Sequence, residues 1–368
     1  VKGVDAPIAT YFVLRAKPRA FRVATRGIEG VETRMVGRDA ELKRLQDAFY
    51  RLCGGGMLAA VTVVADAGMG KSRLLYEFRN WTETRPERFM IFQGRADPQT
   101  QSQPYGLLRD MLAWRLQIAD TDSMDAARAK LETAIAPLFV DDDGPDLAEA
   151  HAHLLGHVIG LDYAKSPHVR GITDDPLQIR NRGFHAAAQM FRRLAARDGV
   201  PIILFLDDLH WADDTALDFL DYMAEADRDV PMLILSLTRP TLFERRPDWG
   251  GAVGKMLRLD LAPLDPRASR DLARELLKKL PAAPVALDEL VTGGAEGNPF
   301  YMEELVKMLV DQGAIETGED RWTVRPDKLL ATHVPQTLTG VLQSRLDGLK
   351  SAEKLALQQA SVIGFVFW

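Results

Sequence analysis

The sequence has 368 residues, with 46 Lys+Arg against 52 Asp+Glu and a formal net charge of −6. Hydrophobic residues make up 46% and charged residues 27%, which excludes a disordered or collagen-like chain and, at roughly 150 residues per domain, leaves room for about two or three compact units. The single cysteine, Cys53, excludes an internal disulfide and a Cys-x-x-Cys zinc site and points to a reducing compartment, the cytoplasm.

The opening stretch lacks the apolar core of a signal peptide, and no apolar run approaches the roughly 18 residues of a membrane span. The chain begins without methionine and stops on the apolar run SVIGFVFW, so both ends read as cut from a longer protein. Residues 6–28 hold no acid but carry Arg15, Lys17, Arg19, Arg22 and Arg26. This is expected to be a basic, extended linker on an acidic domain. The net negative charge argues against a nucleic-acid footprint, so nucleic acid is not an expected partner.

Leu42, Leu45, Phe49 and Leu52 recur at three- and four-residue steps and predict a helix that Gly54, Gly55 and Gly56 end. The continuous apolar run at 57–64 reads as a parallel strand covered on both faces. Further strands are predicted at 88–94, 201–208 and 231–240, with helical stretches between them, which means a parallel α/β sheet. A long helical insertion, roughly 104–198, separates the second and third strands. It ends in a helix whose Phe184, Ala187, Phe191 and Leu194 share a face. Residues 265–312 read as short helices, one carrying Leu272, Leu276 and Leu280, another Leu305 and Leu309 and opening with Asn298 as cap and Pro299 at the first helical position. Two more helices are predicted after Val334.

The motif that carries chemistry is ADAGMGKS, Ala65–Ser72, between the first strand and a helix. Successive backbone N–H groups in a glycine-rich turn and at a helix N-terminus bind phosphate oxygens. Lys71 would reach the β/γ-phosphates, and Ser72 would coordinate Mg²⁺. Ala65 stands where the usual pattern has glycine, so the first turn must avoid positive φ there. At the end of the third predicted strand, Asp207 is expected to hold Mg²⁺ and Asp208 to orient or polarise the attacking water. Arg239, ending the fourth, could tell triphosphate from diphosphate. Asp213 is expected to cap the next helix. His153 and His157 stand four apart, but HAHLLGH contains no glutamate, so no H-E-x-x-H site is predicted. Asp141–Asp143 lack the alternate spacing of a calcium loop and read as a solvated acidic turn.

In this order, MVGRDAEL (35–42), ADAGMGKSRLL (65–75), FLDDLHWAD (205–213), LTRP (237–240) and GNPFYMEELV (297–306) resemble the STAND signalling ATPases related to AAA+ proteins. The resemblance implies a P-loop NTPase fold over 29–262, a helical lid over 263–330 and the truncated start of a winged-helix domain over 331–368. It implies ATP or ADP with Mg²⁺ as ligands. Val36, Gly37, Arg38 and Pro299 would lie against the adenine, the loop residues Gly68, Met69, Gly70, Lys71, Ser72 and Arg73 would hold the phosphates, and Arg239 would act as sensor. The opening VKGVDAPIATYFVL resembles the last strand of class III adenylate/guanylate cyclase domains, which makes 1–28 the tail of such a domain plus linker. The expected function is a slowly hydrolysing ATP switch within a larger multidomain regulator. Its partners would be the nucleotide and the other domains of the same chain, with self-association left open and no membrane. A non-hydrolysing scaffold and the ATPase module of a transcriptional regulator are the alternatives.

Overall fold

The structure, a computed structural model, describes residues 28, 31–98, 101, 103–251, 256–335, 337–347, 349 and 351–363. The cyclase-like opening and the basic residues Arg15–Arg26 lie outside the described residues. Helix α1 (Asp39–Cys53) buries Leu45, Phe49 and Leu52, and the glycines after it close its last turn, Gly54 N–H donating to Tyr50 O and Gly56 N–H to Arg51 O. Strand β1 (Ala59–Val64), α2 (Lys71–Glu83) and β2 (Met90–Arg95) follow. The insertion holds α3 (Gly106–Leu116), α4 (Met124–Ile135), α5 (Val140–Val158), α6 (Pro167–Arg170) and α7 (Pro176–Asp198). Then come β3 (Ile202–Asp207), α8 (Asp214–Ala226), β4 (Met232–Thr238), α9 (Thr241–Arg245) and β5 (Met256–Asp260).

The five strands form one parallel sheet in the order β2-β3-β4-β1-β5. Period-two alternation divides their side chains between two apolar layers. Val61, Val63, Ile203, Phe205, Leu233 and Leu235 face α1 and α2, while Phe92, Ile202, Leu204, Leu206, Met232 and Ile234 face the insertion and α8. Both faces are covered, so the inner strands are continuous apolar runs. The fold is therefore α/β, as the strand–helix alternation requires. Strand β5 was not predicted. At the sheet edge, its MLRLD sequence exposes Arg258 and Asp260, so it lacks the apolar run that marks the other four.

The run Asp141–Asp143 is not a free acidic turn. It starts α5, which Gly144 (φ 80°, ψ 167°) kinks, and Arg193 of α7 pairs with Asp142 at 2.5 Å and Asp143 at 2.8 Å. The ion pairs tie α5 to α7.

Past the sheet, α10 (Pro266–Leu276), α11 (Val285–Gly293), α12 (Pro299–Asp311), the hairpin β6 (Ile315–Glu316) and β7 (Thr323–Val324), and α13 (Pro326–Ala331) build a second core. Leu272, Leu276, Leu305, Leu309 and Trp322 fill it; Leu280 joins them from beyond the end of α10. Helix α14 (Leu338–Asp347) contributes Val341 to the same cluster, and α15 (Ser351–Ile363) follows. Ile28, at the end of the expected linker, is buried there with Val31.

Phe78 of α2 is fully buried, with its ring stacked on Trp81 and edge-on to Phe205. Phe78→Ala is expected to cost about 3–5 kcal/mol through lost burial and the cavity it leaves. A chemical denaturation midpoint that moves down at constant m value would report it.

Candidate functional site

A cavity of about 560 Å³ opens where the C-terminal ends of β1, β3 and β4 meet α2 and helix α12. Of the residues expected at the site, Val36, Arg38, Gly68, Met69, Gly70, Lys71, Ser72, Arg73, Asp207, Asp208, Arg239 and Pro299 all line it. Gly37 does not. It packs on α10, where a methyl group at its position would meet Ala268 Cβ at 2.7 Å.

The loop from Ala65 to Gly70 is shaped by two left-handed glycines, Gly68 (φ 83°) and Gly70 (φ 92°), a conformation that costs a side-chain-bearing residue roughly 1 kcal/mol or more. Ala65 is not among the residues with positive φ. Strand pairing extends into it, its N–H donating to Thr238 O at 3.1 Å, and its methyl is buried in the core. Alanine is thus compatible with the loop. No side chain caps α2 at Gly70, so the first N–H groups of the helix are available to an anion.

Lys71 is buried, and its ammonium donates to Ala65 O at 2.6 Å and Asp66 O at 2.9 Å. Burial pulls its pKa down, and the Arg239 charge adds to this, while Asp208, Asp207 and Asp66 oppose it. Asp207 is 4% exposed and accepts from the Asp208 N–H at 2.9 Å. Burial, reinforced by the Asp208 charge, pushes its carboxyl up to about 6, against the pull of Arg95 and Lys71. Asp208 is itself left-handed (φ 54°), a conformation aspartate tolerates better than most residues. Its carboxylate is held by Arg95, at 2.8 Å from Nη2 and 3.1 Å from Nε.

Arg38 adopts a role the sequence did not suggest. Its guanidinium donates to Met69 O at 3.2 Å and Ala262 O at 2.6 Å, clasping the loop to the segment that leaves β5. Arg73 likewise donates to the Thr33 carbonyl and to Glu77. Helix α12 reaches the loop directly. Asn298 caps α12 and donates from Nδ2 to Ala67 O at 3.1 Å, while Phe300 N–H donates to Gly68 O at 3.3 Å.

Several lining residues escaped the sequence reading: Arg95, Thr33, Glu303 and Lys307. Glu303 could have been found, because it lies one turn past Pro299 and shares its helix face. His210 is buried, and neither ring nitrogen has a hydrogen-bond partner among the described residues. Burial first, then the charges of Arg239, Lys71 and Arg245, push its pKa down to about 4 against the pull of Asp208. Asp213 caps α8 as expected, accepting from Ala216 N–H at 2.9 Å.

An uncapped helix N-terminus behind a left-handed glycine loop, two cations and two strand-end carboxylates form a set that fits a phosphate anion with its divalent cation. The fold and this set define a P-loop nucleotide-binding module. Residues 34–235 match the AAA ATPase domain family, and the chain belongs to that family. The uncharacterized protein R02095 of Rhizobium meliloti (strain 1021) is 25% identical over 374 residues, covering 99% of this chain but 33% of its own length; the chain thus spans about a third of that relative. Among solved structures, Orc1 of Aeropyrum pernix in complex with DNA is 12% identical with a TM-score of 0.47, covering 91% of this chain and 74% of that one. Cdc6p of Pyrobaculum aerophilum is 13% identical with a TM-score of 0.43, covering 77% and 65%. At that distance the likeness concerns the fold alone, and the expectation that nucleic acid is no partner is without support. No helix among the described residues is long and apolar enough to cross a membrane.

The Asp207 carboxyl binds its proton more tightly folded than unfolded, so its contribution to stability is full below about pH 4 and is lost as pH rises toward 6. His210 acts oppositely, its contribution being lost as pH falls from the ordinary histidine range toward 4. Asp207→Asn removes the first dependence. Its stability relative to the parent is expected to grow between pH 4 and 6 by about 1–3 kcal/mol and then level off, as read by thermal melts across pH without nucleotide or metal.

Proposed function

We propose that the chain is a nucleotide-driven switch of the STAND type, which binds ATP with Mg²⁺ between sheet and lid and hydrolyses it slowly. The observation that carries this reading is the pair of hydrogen bonds from Asn298 and Phe300 to the phosphate loop. A ligand that reorders Ala67 and Gly68 must change the lid's footing, and the differential contact of the two nucleotide states with that loop biases the lid.

In this mechanism the Lys71 ammonium, with the backbone N–H groups of Gly68–Arg73, holds the β- and γ-phosphates, exchanging loop carbonyls for phosphate oxygens. Arg239 reads the γ-phosphate. Ser72 and Asp207 hold Mg²⁺, which would offset phosphate charge and draw the Asp207 carboxyl to its ionised form. Val36 and Pro299 flank the base, with Gly37 and Arg38 setting the shape of that wall. Asp208 orients and polarises the attacking water once it is released from Arg95. That ion pair is half-exposed on the arginine side and worth no more than about 1 kcal/mol, so phosphate contacts suffice to break it. The same pair favours a second reading, a nucleotide-bound scaffold in which Asp208 stays clasped and turnover is absent. Placement beside a cyclase-like domain in a longer regulator is part of the proposal. It rests on residues 1–14, and the complete reading frame tests it.

ATP or ADP at 100 times its dissociation constant is expected to stabilise the fold by about 2.7 kcal/mol, and a thermal-shift assay with no response at millimolar nucleotide sinks the reading. Lys71→Ala should weaken ATP binding by roughly 1.5–3 kcal/mol, the worth of a charge-assisted contact, while the protein still folds; calorimetric titration reports both.

Asp208→Asn should keep ATP binding nearly intact and abolish turnover. In the parent, turnover should lie well below the ~1–10³ s⁻¹ usual for enzymes, since a carboxylate one methylene shorter than glutamate stands farther from the attacking water. Single-turnover assays separate the switch, which hydrolyses, from the scaffold, which does not.

A further inference from the structure

Five of the chain's 7 histidines fall between 151 and 185, all in the insertion and outside the nucleotide cavity. The structure does not pair His153 with His157, its neighbour one turn along α5. It brings His153 to His168 of α6, with ring centroids 5.7 Å apart. One ligand atom from each of Glu149, His153 and His168 lies within 4.8 Å of the others. His153 Nε2 lies 3.7 Å from Glu149 Oε1 and 3.5 Å from Glu132 Oε1 of α4.

We infer that His153, His168 and Glu149 form a three-ligand binding site for a divalent transition metal of the zinc class, the fourth position being open to water. Ligands about 2.0–2.2 Å from one tetrahedral ion stand roughly 3.4 Å apart, so His153 and Glu149, at 3.7 Å, need shifts of a few tenths of an ångström, while His168, within 4.8 Å of both, must move in by up to about 1.4 Å through side-chain rotation. Two imidazoles with a carboxylate select a zinc-like ion over Mg²⁺ or Ca²⁺, which take oxygen ligands.

The surrounding residues are arranged as a metal's outer partners are. The buried Ser166 hydroxyl bonds His153 Nδ1 at 2.8 Å and accepts the His168 backbone N–H at 3.1 Å, so one side chain orients the His153 ring, leaving its Nε2 turned to the carboxylates, and caps the short helix that carries His168. Tyr163 packs its ring on His153 and donates its hydroxyl to Glu132 at 2.8 Å. Arg128 is engaged with Asp125 and Asp162 rather than with Glu132 or Glu149. An ion there would clip α5 and α6 together within the insertion.

The test is calorimetric titration of the chelator-treated full chain with Zn²⁺, and Co²⁺ absorption as a probe of geometry. One equivalent is expected to bind, with the visible spectrum of a tetrahedral nitrogen and oxygen site. Glu149→Gln and His168→Gln should each weaken it by at least about 100-fold, and Ser166→Ala by about 10–100-fold. His157→Gln should change nothing. Glu149 is exposed, so its variant keeps the fold, and unaltered Mg-ATP affinity serves as the check. Absence of one-equivalent binding overturns the site, leaving His153 as an imidazole between two carboxylates. So does binding that survives in both Glu149→Gln and His168→Gln.

Discussion

Helix α12 meets the phosphate loop backbone to backbone, and this close approach constrains everything around it. A methyl group on Gly68 would stand 2.5 Å from Asn298 Oδ1 and 2.9 Å from Phe300 Cβ, so the lid can rest where it does only because that position has no side chain. Pro299 suits the same contact. It needs no partner for a missing N–H at the first helical position, and it leaves Asn298 to cap α12 with its oxygen and the loop with its nitrogen. From this junction the rest follows. The cavity has the sheet as floor and α12 as wall, and Arg38 secures the opposite side of the loop.

The charges in the cavity are balanced against one another rather than individually satisfied. Lys71 leans on carbonyls, Asp208 on Arg95, and Asp207 lies so deep that its carboxyl keeps its proton up to about pH 6. A phosphate with a divalent cation resolves all three at once, supplying oxygens to the lysine and positive charge to the acids. His210 stays neutral behind them, a buried imidazole repelled by three cations. Such mutually strained groups gather where a charged ligand is to be accommodated.

Which of these features could be read from sequence depends on how local their cause is. Strands β1 to β4, the glycine loop, and the caps at Asp213 and Asn298 are written in runs and dipeptides, and each forms where the pattern places it. Strand β5 was missed because the exposed Arg258 and Asp260 interrupt its apolar run. Arg95 and Asp208 are 113 positions apart, and only the pairing of β2 with β3, Arg95 opposite Asp207, brings them together. The same holds for Arg38, whose guanidinium reaches Ala262 across 224 positions, and for His153 and His168, whose meeting depends on the turn between α5 and α6. Side-chain destinations set by sheet order or helix crossing leave no periodic trace.

The insertion, finally, is more than an added block. It departs from the sheet just after Arg95, and its first helix returns at once to that residue. Asp110 of α3 accepts the Arg95 N–H at 2.8 Å, and Gly94 passes so close to Leu107 and Met111 that an added methyl would stand 3.1–3.3 Å from them. Nearly a hundred residues thus hang from the strand end whose guanidinium clasps Asp208. Force applied to the helices by whatever grips them would arrive at that clasp, giving a distant surface mechanical leverage over a carboxylate it never touches.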